Sequence, residues 1–499
     1  MQIPKEVKTV VDKLEKSKFQ AYIVGGCVRD LLRGITPNDW DVTTNAKPEQ
    51  IQKLFLHPPK FCGAKLGRAG SFYENRFGTV TVLTCSQDVS LKEIEITTYR
   101  LEAKYTDKRH PDEIKFAKTL EQDLARRDFT INAIALESYE AKPRKIVDPF
   151  LGQEDLKNKV IRAVGQPEDR FSDDALRMLR AVRLASTLDF TIEPKTAAAI
   201  KKHSPLLKAI SKERIRDEVL KIIMSDKGAE GIDLLRELGL LSYIMPELEE
   251  GYQVGQNKHH IYECYEHSLL SLKYACHKKY NKHVRLASLL HDIGKPRTKR
   301  GQGQNSTFYG HEVVGAKMTN QLLSRLKFPK KDIDKITNLV RHHLFYYNVG
   351  EVTESSVRRL VRQAGPENME ELLQVRMCDR IGSGVPKAEP YKLRHLRYII
   401  EKTSKDPISV KMLKITGNDI MKELDISPGP KIGHYLDILL GNVLLNPKKN
   451  ETNVLFKLLR QMSHLSEKEL KDKALNARKE REKIEIKQDK MTKERYWVS

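Results

Sequence analysis

Two short stretches near the start of the chain carry residue types that suit phosphoryl chemistry. A glycine pair, Gly25 and Gly26, ends an apolar run typical of a strand, and a helical pattern with Arg29 in its first turn follows. Glycines between a strand and a helix let backbone N–H groups approach a phosphate, and a nearby arginine can hold a triphosphate. Asp39 and Asp41 then alternate onto one face of the next predicted strand. Two carboxylates beside a phosphate cradle suit a pair of Mg²⁺ ions.

Neither stretch is specific by itself. Tight turns need glycine in any case, and an isolated Asp-x-Asp is usually a solvated turn. Both stretches together, in this order, favour a nucleotide site over a plain turn. Glu95, on a later predicted strand, fits a third acidic residue of that site and a solvent-facing strand glutamate equally well.

The elements that position these residues resemble a known family. Gly-Gly-x-Val-Arg-Asp at 25–30, followed by Asp-x-Asp-Val at 39–42, resembles the nucleotidyltransferase head of bacterial tRNA nucleotidyltransferases, the CCA-adding enzymes, and of the related poly(A) polymerases. The resemblance implies transfer of CMP twice and AMP once, from CTP and ATP, onto the tRNA 3′ hydroxyl, with release of pyrophosphate. It also implies that Asp39 and Asp41 are catalytic and hold Mg²⁺, while Gly25, Gly26 and Arg29 bind the nucleotide.

Two further stretches extend this resemblance. The segment from Arg126 through Arg127, Asp128 and Asn132 to Ala133, predicted as a helix that opens with the arginines, resembles the family's Arg-Arg-Asp-Phe-Thr-x-Asn-Ala signature. Its arginines can neutralise phosphate charge, while its Asp and Asn, one turn apart, can hydrogen-bond across the site or to a ribose. The segment from Arg100 to Phe116, with Arg109, resembles the flexible loop of enzymes that add the terminal adenosine, which argues against an enzyme that adds only cytidines.

A third motif, Asp173-Asp174-Ala175-Leu176-Arg177, matches the family's Glu-Asp-x-x-Arg motif with Asp173 in place of Glu. Asp174 and Arg177 are three residues apart, so they are predicted neighbours on one helix, and without the resemblance an intrahelical salt bridge is the simpler interpretation. Cytosine and adenine present an amino group beside an unprotonated ring nitrogen, which a carboxylate and a guanidinium can recognise. Uracil and guanine invert that pattern. Arg180 and Arg183 drift off the face of Asp174 and are interpreted as phosphate or RNA contacts.

A second set of potential metal ligands begins at His267. His291 and Asp292 are adjacent at the end of an apolar helical run, and Asp379 follows later in the chain. This order resembles an HD metal-dependent phosphohydrolase domain, which implies that these four residues bind a divalent metal of open identity. Further on, three histidines resemble the extra histidines of fuller members, namely His311, His342 and His343. The implied reaction is hydrolysis of 2′,3′-cyclic phosphates or phosphomonoesters. A lone histidine is usually a satisfied core residue, and whether the site is catalytic stays open.

Length and charge fit this interpretation. A chain of 499 residues is too long for one core and predicts about two to four domains. We expect an α/β head with a mixed β-sheet over 1–150, then all-α segments: neck and body over 151–260, an HD domain over 261–400 and a tail over 401–499. A net charge of +22 favours a polyanionic partner, and the resemblance implies the acceptor end and elbow of tRNA.

Several observations bear on location and on rival functions. The six cysteines lack paired zinc-finger spacing, the first residues lack the apolar core of a signal peptide, and no run reaches the roughly 18 apolar residues of a membrane helix. A cytoplasmic protein is expected, with its oligomeric state open. The alternatives are an A-adding enzyme that works beside a CC-adding one, a poly(A) polymerase, and a non-catalytic RNA-binding protein. The intact Asp39 and Asp41 count against the last.

Overall fold

A computed structural model describes residues 3–55, 71–74, 78–84, 86–101, 115–137, 145–257, 261–404 and 410–498. The chain forms two compact units. The first unit comprises Met1–His343 and Gln374–Pro386, and the second comprises Leu344–Leu373 and Lys387–Ser499.

All strands of the described residues lie in the first unit. They are β1 (Ala21–Val24), β2 (Asp41–Thr44), β3 (Ser71–Glu74), β4 (Thr79–Leu83), β5 (Glu93–Thr98), β6 (Arg100–Leu101), β7 (Lys115–Phe116), β8 (Ala135–Glu137), β9 (Ile146–Val147), β10 (Val160–Ile161) and β11 (Thr191–Ile192). Seven of them form one sheet in the order β3-β4-β5-β2-β1-β8-β9, in which β2 and β5 are parallel and the other neighbours antiparallel. The predicted mixed sheet is confirmed.

The helices of the first unit begin before β1 and continue after β11. They are α1 (Lys5–Lys16), α2 (Gly26–Leu32), α3 (Pro48–Leu54), α4 (Leu120–Ala125), α5 (Gly152–Asn158), α6 (Pro167–Asp173), α7 (Leu176–Leu188), α8 (Pro194–His203), α9 (Lys212–Ile223), α10 (Gly228–Glu237), α11 (Leu241–Ile244), α12 (Pro246–Glu249), α13 (Cys264–His277), α14 (Lys282–Leu290), α15 (Lys295–Thr298), α16 (His311–Arg325) and α17 (Lys330–His342). Apolar residues of α1, α2 and α3 pack on the sheet and form the core of the head.

The remaining helices are α18 (Glu354–Ala364), α19 (Met369–Gly382), α20 (Tyr391–Ser404), α21 (Gly417–Leu424), α22 (Pro430–Leu445), α23 (Thr452–Met462) and α24 (Glu467–Arg495). In the second unit, α22 packs against α24, whose start is fixed by the side chain of Ser466 accepting from the N–H of Glu469. The all-α character expected after the head is therefore confirmed, apart from the short parallel pair β10 and β11. Among the described residues, no helix combines the length and the apolar character that crossing a bilayer would require.

Candidate functional site

The carboxylates of the main cleft meet where two strands pair. Asp41 is the first residue of β2 and lies opposite Val24, the last residue of β1, so the turn at Gly25 comes next to it. Asp39 precedes the strand instead of belonging to it, which corrects the prediction, but the buried Trp40 between them keeps the expected alternation. Both aspartates line a cleft of about 910 Å³.

Glu95 adds a third carboxylate to this cleft, as one of its two interpretations suggested. It lies on β5 directly beside Asp41 in the parallel register, and it lines the same cleft. Burial and the neighbouring charges of Asp39 and Glu95 together raise the pKa of Asp41 to about 6, against the opposing effect of Arg127. Carboxylates that disfavour one another's charge fit a divalent cation, whose oxygen-rich coordination they can supply.

The turn after β1 requires glycine at its first position. Gly25 has φ of +83°, and a Cβ there would lie 3.1 Å from Nη1 of Arg127 and 3.1 Å from Oδ2 of Asp41. Any other residue would be strained in this backbone region and would crowd both side chains. Gly26, the first residue of α2, lines the cleft beside Arg29, whose own guanidinium forms two hydrogen bonds to Asp30 at 2.9 and 2.8 Å.

The paired arginines lie at the end of α4, not at the start of a helix as predicted. Arg126 caps the C-terminus of α4, and Thr130–Asn132 form only a short 3-10 turn. Both guanidiniums converge on Asp123, one turn earlier: Nη2 of Arg126 lies 2.7 Å and Nη2 of Arg127 3.5 Å from its carboxylate. Asp123 is fully buried and was missed by the sequence analysis, although its i, i+3, i+4 spacing to the two arginines could have revealed it.

A chain of polar contacts links the rest of this motif to α7. Arg29 Nη1 donates to Asn132 Oδ1 at 2.9 Å, and Asn132 Nδ2 donates to Asp128 Oδ1 at 3.2 Å. Arg180 Nε donates to the other oxygen of Asp128 at 2.8 Å. Burial raises the pKa of Asp128, but the guanidiniums of Arg180 and Arg177 outweigh it and hold that pKa well below its usual range. Arg180 therefore orients Asp128 and also lines the main cleft.

Arg183, predicted as a phosphate or RNA contact, lines the cleft too. Its Nε lies 3.3 Å from the buried carboxylate of Glu218 on α9. Burial lowers the pKa of Arg183, and the charge of Glu218 offsets this effect only in part. The two expected loop arginines differ in outcome: Arg100 begins β6 and lines the smaller chamber described next, whereas Arg109 lies outside the described residues.

A smaller chamber of about 330 Å³ adjoins the main cleft and shares Asp41, Arg127 and Asp128 with it. We call it the base chamber, after the role that we propose for it under Proposed function; its further lining includes Asp174, Arg177, Arg126 and Arg214. Asp174 and Arg177 are both in it, as expected, but they do not share a helix.

The helical conformation is interrupted at Asp174, which lies between α6 and α7 with an extended backbone. Its Oδ1 accepts from the N–H of Leu176 at 3.0 Å and so caps α7, while its Oδ2 pairs with Arg214 at 2.9 Å. Arg177 Nη2 donates to the carbonyl of Arg126 at 3.0 Å. Asp174 therefore pairs with Arg214 and not with Arg177, the partner that the simpler interpretation of an intrahelical salt bridge predicted.

The four HD residues converge in one buried cluster. His267 Nε2 lies 2.9 Å from His291 Nε2 and 3.2 Å from Oδ2 of Asp292, and Asp379 Oδ1 lies 3.4 Å from His267 Nε2. Asp292 turns its other oxygen to His311 and His343, at 3.4 and 3.6 Å, so two potential sets of metal ligands share this carboxylate.

The tautomers favour metal binding at this cluster. Three histidines donate Nδ1–H to the carbonyl three residues earlier, at 2.7–2.8 Å, which leaves Nε2 aimed inward: His291, His311 and His343. Burial lowers the pKa of His291, but Asp292 and Asp379 outweigh it and raise it to about 10. Imidazole nitrogens and carboxylate oxygens that converge in this way fit a divalent ion. His342, half-buried, does not belong to either set of ligands.

Comparison with known families matches three segments of the chain. Residues 21–162 match the poly A polymerase head domain, residues 189–251 the probable RNA and SrmB-binding site of polymerase A, and residues 264–381 the HD domain.

Individual relatives match most of the chain. It is 33% identical to an A-adding tRNA nucleotidyltransferase of Deinococcus radiodurans, over 84% of this chain and 90% of the relative. It is 31% identical to a CCA-adding enzyme of Enterococcus faecalis, over 93% and 97%. The crystal structure of the Bacillus stearothermophilus CCA-adding enzyme in complex with CTP matches with a TM-score of 0.58 at 28% identity, covering 92% of this chain and 98% of that one. The chain therefore belongs to the tRNA nucleotidyltransferase family of CCA-adding enzymes.

Proposed function

We propose that this protein adds CCA to the 3′ end of tRNA without a nucleic-acid template, using CTP and ATP and releasing pyrophosphate. The observation that carries the proposal is the junction of two cavities. The cleft with Asp39 and Asp41 shares the side chains of Asp41, Arg127 and Asp128 with the base chamber. A nucleotide whose base lies in that chamber, against Asp174 and Arg177, would therefore place its α-phosphate beside the carboxylates.

Each side chain has a distinct task in this proposal. Asp39 and Asp41, with Glu95 beside them, would hold Mg²⁺, which when bound activates the 3′ hydroxyl and neutralises the triphosphate. Arg127 lines the same cleft, and its guanidinium would bind a phosphate oxygen there.

The remaining nucleotide contacts divide between phosphate, sugar and base. Gly25, Gly26 and Arg29 hold the phosphates. The Asp128–Asn132 pair is oriented by Arg180 and binds the ribose. Asp174 and Arg177 recognise the base: the carboxylate accepts from the amino group of cytosine or adenine, and the guanidinium donates to the ring nitrogen. Uracil and guanine would place like partners against both groups.

We further propose the division of labour along the chain and its setting. Residues 1–150 form the catalytic head, 151–260 the neck and body, 261–400 the HD domain and 401–499 a tail that binds the tRNA elbow. The net charge of +22 supports a polyanionic partner such as tRNA. We also propose a cytoplasmic location, which suits an enzyme that acts on tRNA.

The HD cluster supports a second activity, hydrolysis of 2′,3′-cyclic phosphates or phosphomonoesters at damaged tRNA ends. Its proposed donors are His267, His291 and Asp292, with Asp379 Oδ1 3.4 Å from His267 Nε2. The inward-facing Nε2 atoms of His311 and His343 offer a second set on Asp292. A divalent ion bound there supplies a nucleophilic hydroxide near neutral pH. Lys295, whose Nζ lies 2.6 Å from Asp292 Oδ2, adds a positive charge beside the cluster that suits an anionic substrate.

One experiment tests the main proposal and its nearest rival. The purified protein is incubated with labelled CTP and ATP, once with tRNA that ends before CCA and once with tRNA that ends in CC. We expect both substrates to be completed to CCA, and the Asp41→Asn variant to complete neither. Extension of the CC substrate alone would favour an A-adding enzyme, the activity named for the Deinococcus relative. Extension of neither by the native protein would refute nucleotide addition.

A further inference from the structure

Arg285 is a buried cation that joins two segments of the first unit. It lies on α14, within the residues that match the HD domain, and is 3% exposed. Its Nη1 donates to the carbonyls of Ile223 at 2.9 Å and Ser225 at 2.8 Å, and its Nε donates to the carbonyl of Tyr280 at 2.8 Å. Two of its three carbonyl partners therefore belong to the C-terminal end of α9, outside the HD domain.

No acidic side chain accompanies this guanidinium. Among the residues that the structure describes, Arg285 pairs with no carboxylate, and its other hydrogen-bond partner is the sulfur of Cys276, 3.5 Å from Nη1. The last carbonyls of a helix carry a partial negative charge, which a neighbouring cation offsets. The positive charge of Arg285 is therefore matched by the negative end of α9 alone.

The same end of α9 forms one wall of the main cleft. Lys221, Met224 and Ser225 line that cleft but not the base chamber. The side chain of Lys221 is 56% exposed, and Met224 is 42% exposed. Because the base of the incoming nucleotide is proposed to lie in the base chamber, this wall is available to the other substrate, the acceptor strand of tRNA. An uncompensated negative helix end at that wall would repel the phosphates of the strand.

We propose that Arg285 is a positioning residue for nucleotide addition, although it belongs to the HD domain. It holds the end of α9 so that Lys221 and Met224 face the acceptor strand, and it offsets the negative helix end beside the phosphates of that strand. Arg285 itself is covered by protein and contacts no substrate. This inference rests on the proposed addition of nucleotides to tRNA.

A positioning role and a purely structural role have different consequences in a folded protein. If Arg285 only stabilises the packing of α14 on α9, its replacement lowers the stability but leaves the kinetics of the folded molecules unchanged. If it positions and neutralises the wall of the cleft, its replacement weakens the binding of tRNA in the folded molecules. The charge also matters in the second case alone, so a lysine at position 285 should restore part of the tRNA binding.

The test compares Arg285→Met and Arg285→Lys with the control Arg325→Met. Arg325, on α16, also reaches from the HD domain to a carbonyl of the preceding segment, that of Ile244 at 3.3 Å, and it pairs with Glu247 at 2.5 Å. It lines neither of the two cavities. Lys221→Gln, a change of an exposed side chain, tests the wall directly. The KM for tRNA that ends before CCA and the KM for CTP are measured for each variant, below the midpoint of its thermal unfolding.

For folded Arg285→Met we expect the KM for tRNA to rise about fivefold, with the KM for CTP unchanged. Arg285→Lys should give an intermediate KM for tRNA, Lys221→Gln should also raise it, and Arg325→Met should retain the native value. A native KM for tRNA in folded Arg285→Met, or an equal rise in the KM for CTP, would overturn the inference. If Arg285→Met does not fold, native KM values for tRNA in both Arg285→Lys and Lys221→Gln would overturn it. Absence of nucleotide addition by the native protein would instead refute the proposed function, so the two failures are distinguishable.

Discussion

At the scale of single residues, the organisation of the head depends on a side chain that lines neither of the two cavities. Asp123 is fully buried, and its carboxylate holds Arg126 and Arg127 at the end of α4. Thr43 Oγ1 of β2 donates to the same carboxylate at 3.2 Å, which joins the arginines to the strand that begins with Asp41. Burial raises the pKa of Asp123, but Arg126 and Arg127 outweigh it and lower that pKa, so the charge is retained.

Asp123→Asn should therefore lower both stability and nucleotide binding. Removing one charge of a buried pair leaves the arginines uncompensated, and we expect a loss of about 3 kcal/mol in the free energy of unfolding. The KM for CTP should rise, because Arg127 is no longer held in the cleft. Denaturant unfolding and steady-state kinetics measure the two effects. Glu121→Gln, which alters an exposed carboxylate on the same helix, is the control and should change neither.

At the scale of elements, the turn between β1 and α2 lies so close to Arg127 and Asp41 that only glycine fits at position 25. Gly25→Ala would place a methyl group 3.1 Å from both Arg127 and Asp41, and it would strain the backbone at φ of +83°. We expect addition of nucleotides to fall at least about 100-fold, since displacement of catalytic groups by about 1 Å has effects of that size.

Gly34→Ala provides a matched control for this prediction. Gly34 has a similar φ of +75°, but a Cβ there meets nothing within 4 Å. The two variants share the backbone strain, so their difference in nucleotide addition isolates the close approach at position 25. Equal activity of both variants would contradict the assigned role of the turn.

The elements that could be predicted from the sequence are those with a local pattern of residues. Glycine pairs, alternating carboxylates and an apolar helix before His291 are local patterns, and the structure confirms the elements that they indicated. The pairing of Asp123 with Arg126 at the end of α4 is local, and its spacing was available in the sequence. The position of Asp174 between α6 and α7 was not predictable by spacing, because the partner of its carboxylate, Arg214, lies on another helix. Contacts that span 40 residues, as between Asp174 and Arg214, leave no periodic signal in the sequence.

At the scale of the whole molecule, the proposed sites are separate in chemistry and in residues. The head uses carboxylates and arginines around Asp41, and the HD cluster uses histidines and aspartates around Asp292. The double variant His291→Ala and Asp292→Ala should lose bound metal and phosphohydrolase activity while retaining nucleotide addition. Metal analysis and both activity assays check this.

Neighbouring histidines offer a control for that prediction. His342 belongs to neither set of potential ligands, whereas His343 has its Nε2 3.6 Å from Asp292 Oδ1. His342→Ala should therefore retain the metal content and phosphohydrolase activity of the native protein. Parallel loss of nucleotide addition in a folded double variant would mean that the two sites are not independent.

The most direct test of the account is nucleotide competition in a protein that lacks the base-recognition pair. All four triphosphates are offered to the native protein and to the Asp174→Ala, Arg177→Ala double variant, with folding checked by thermal unfolding. Each charge-assisted contact contributes roughly 1.5–3 kcal/mol, so the account predicts a loss of discrimination on the order of 10²-fold, with slow incorporation of UTP and GTP. Undiminished preference for CTP and ATP in the folded double variant would contradict the claim that Asp174 and Arg177 select the base.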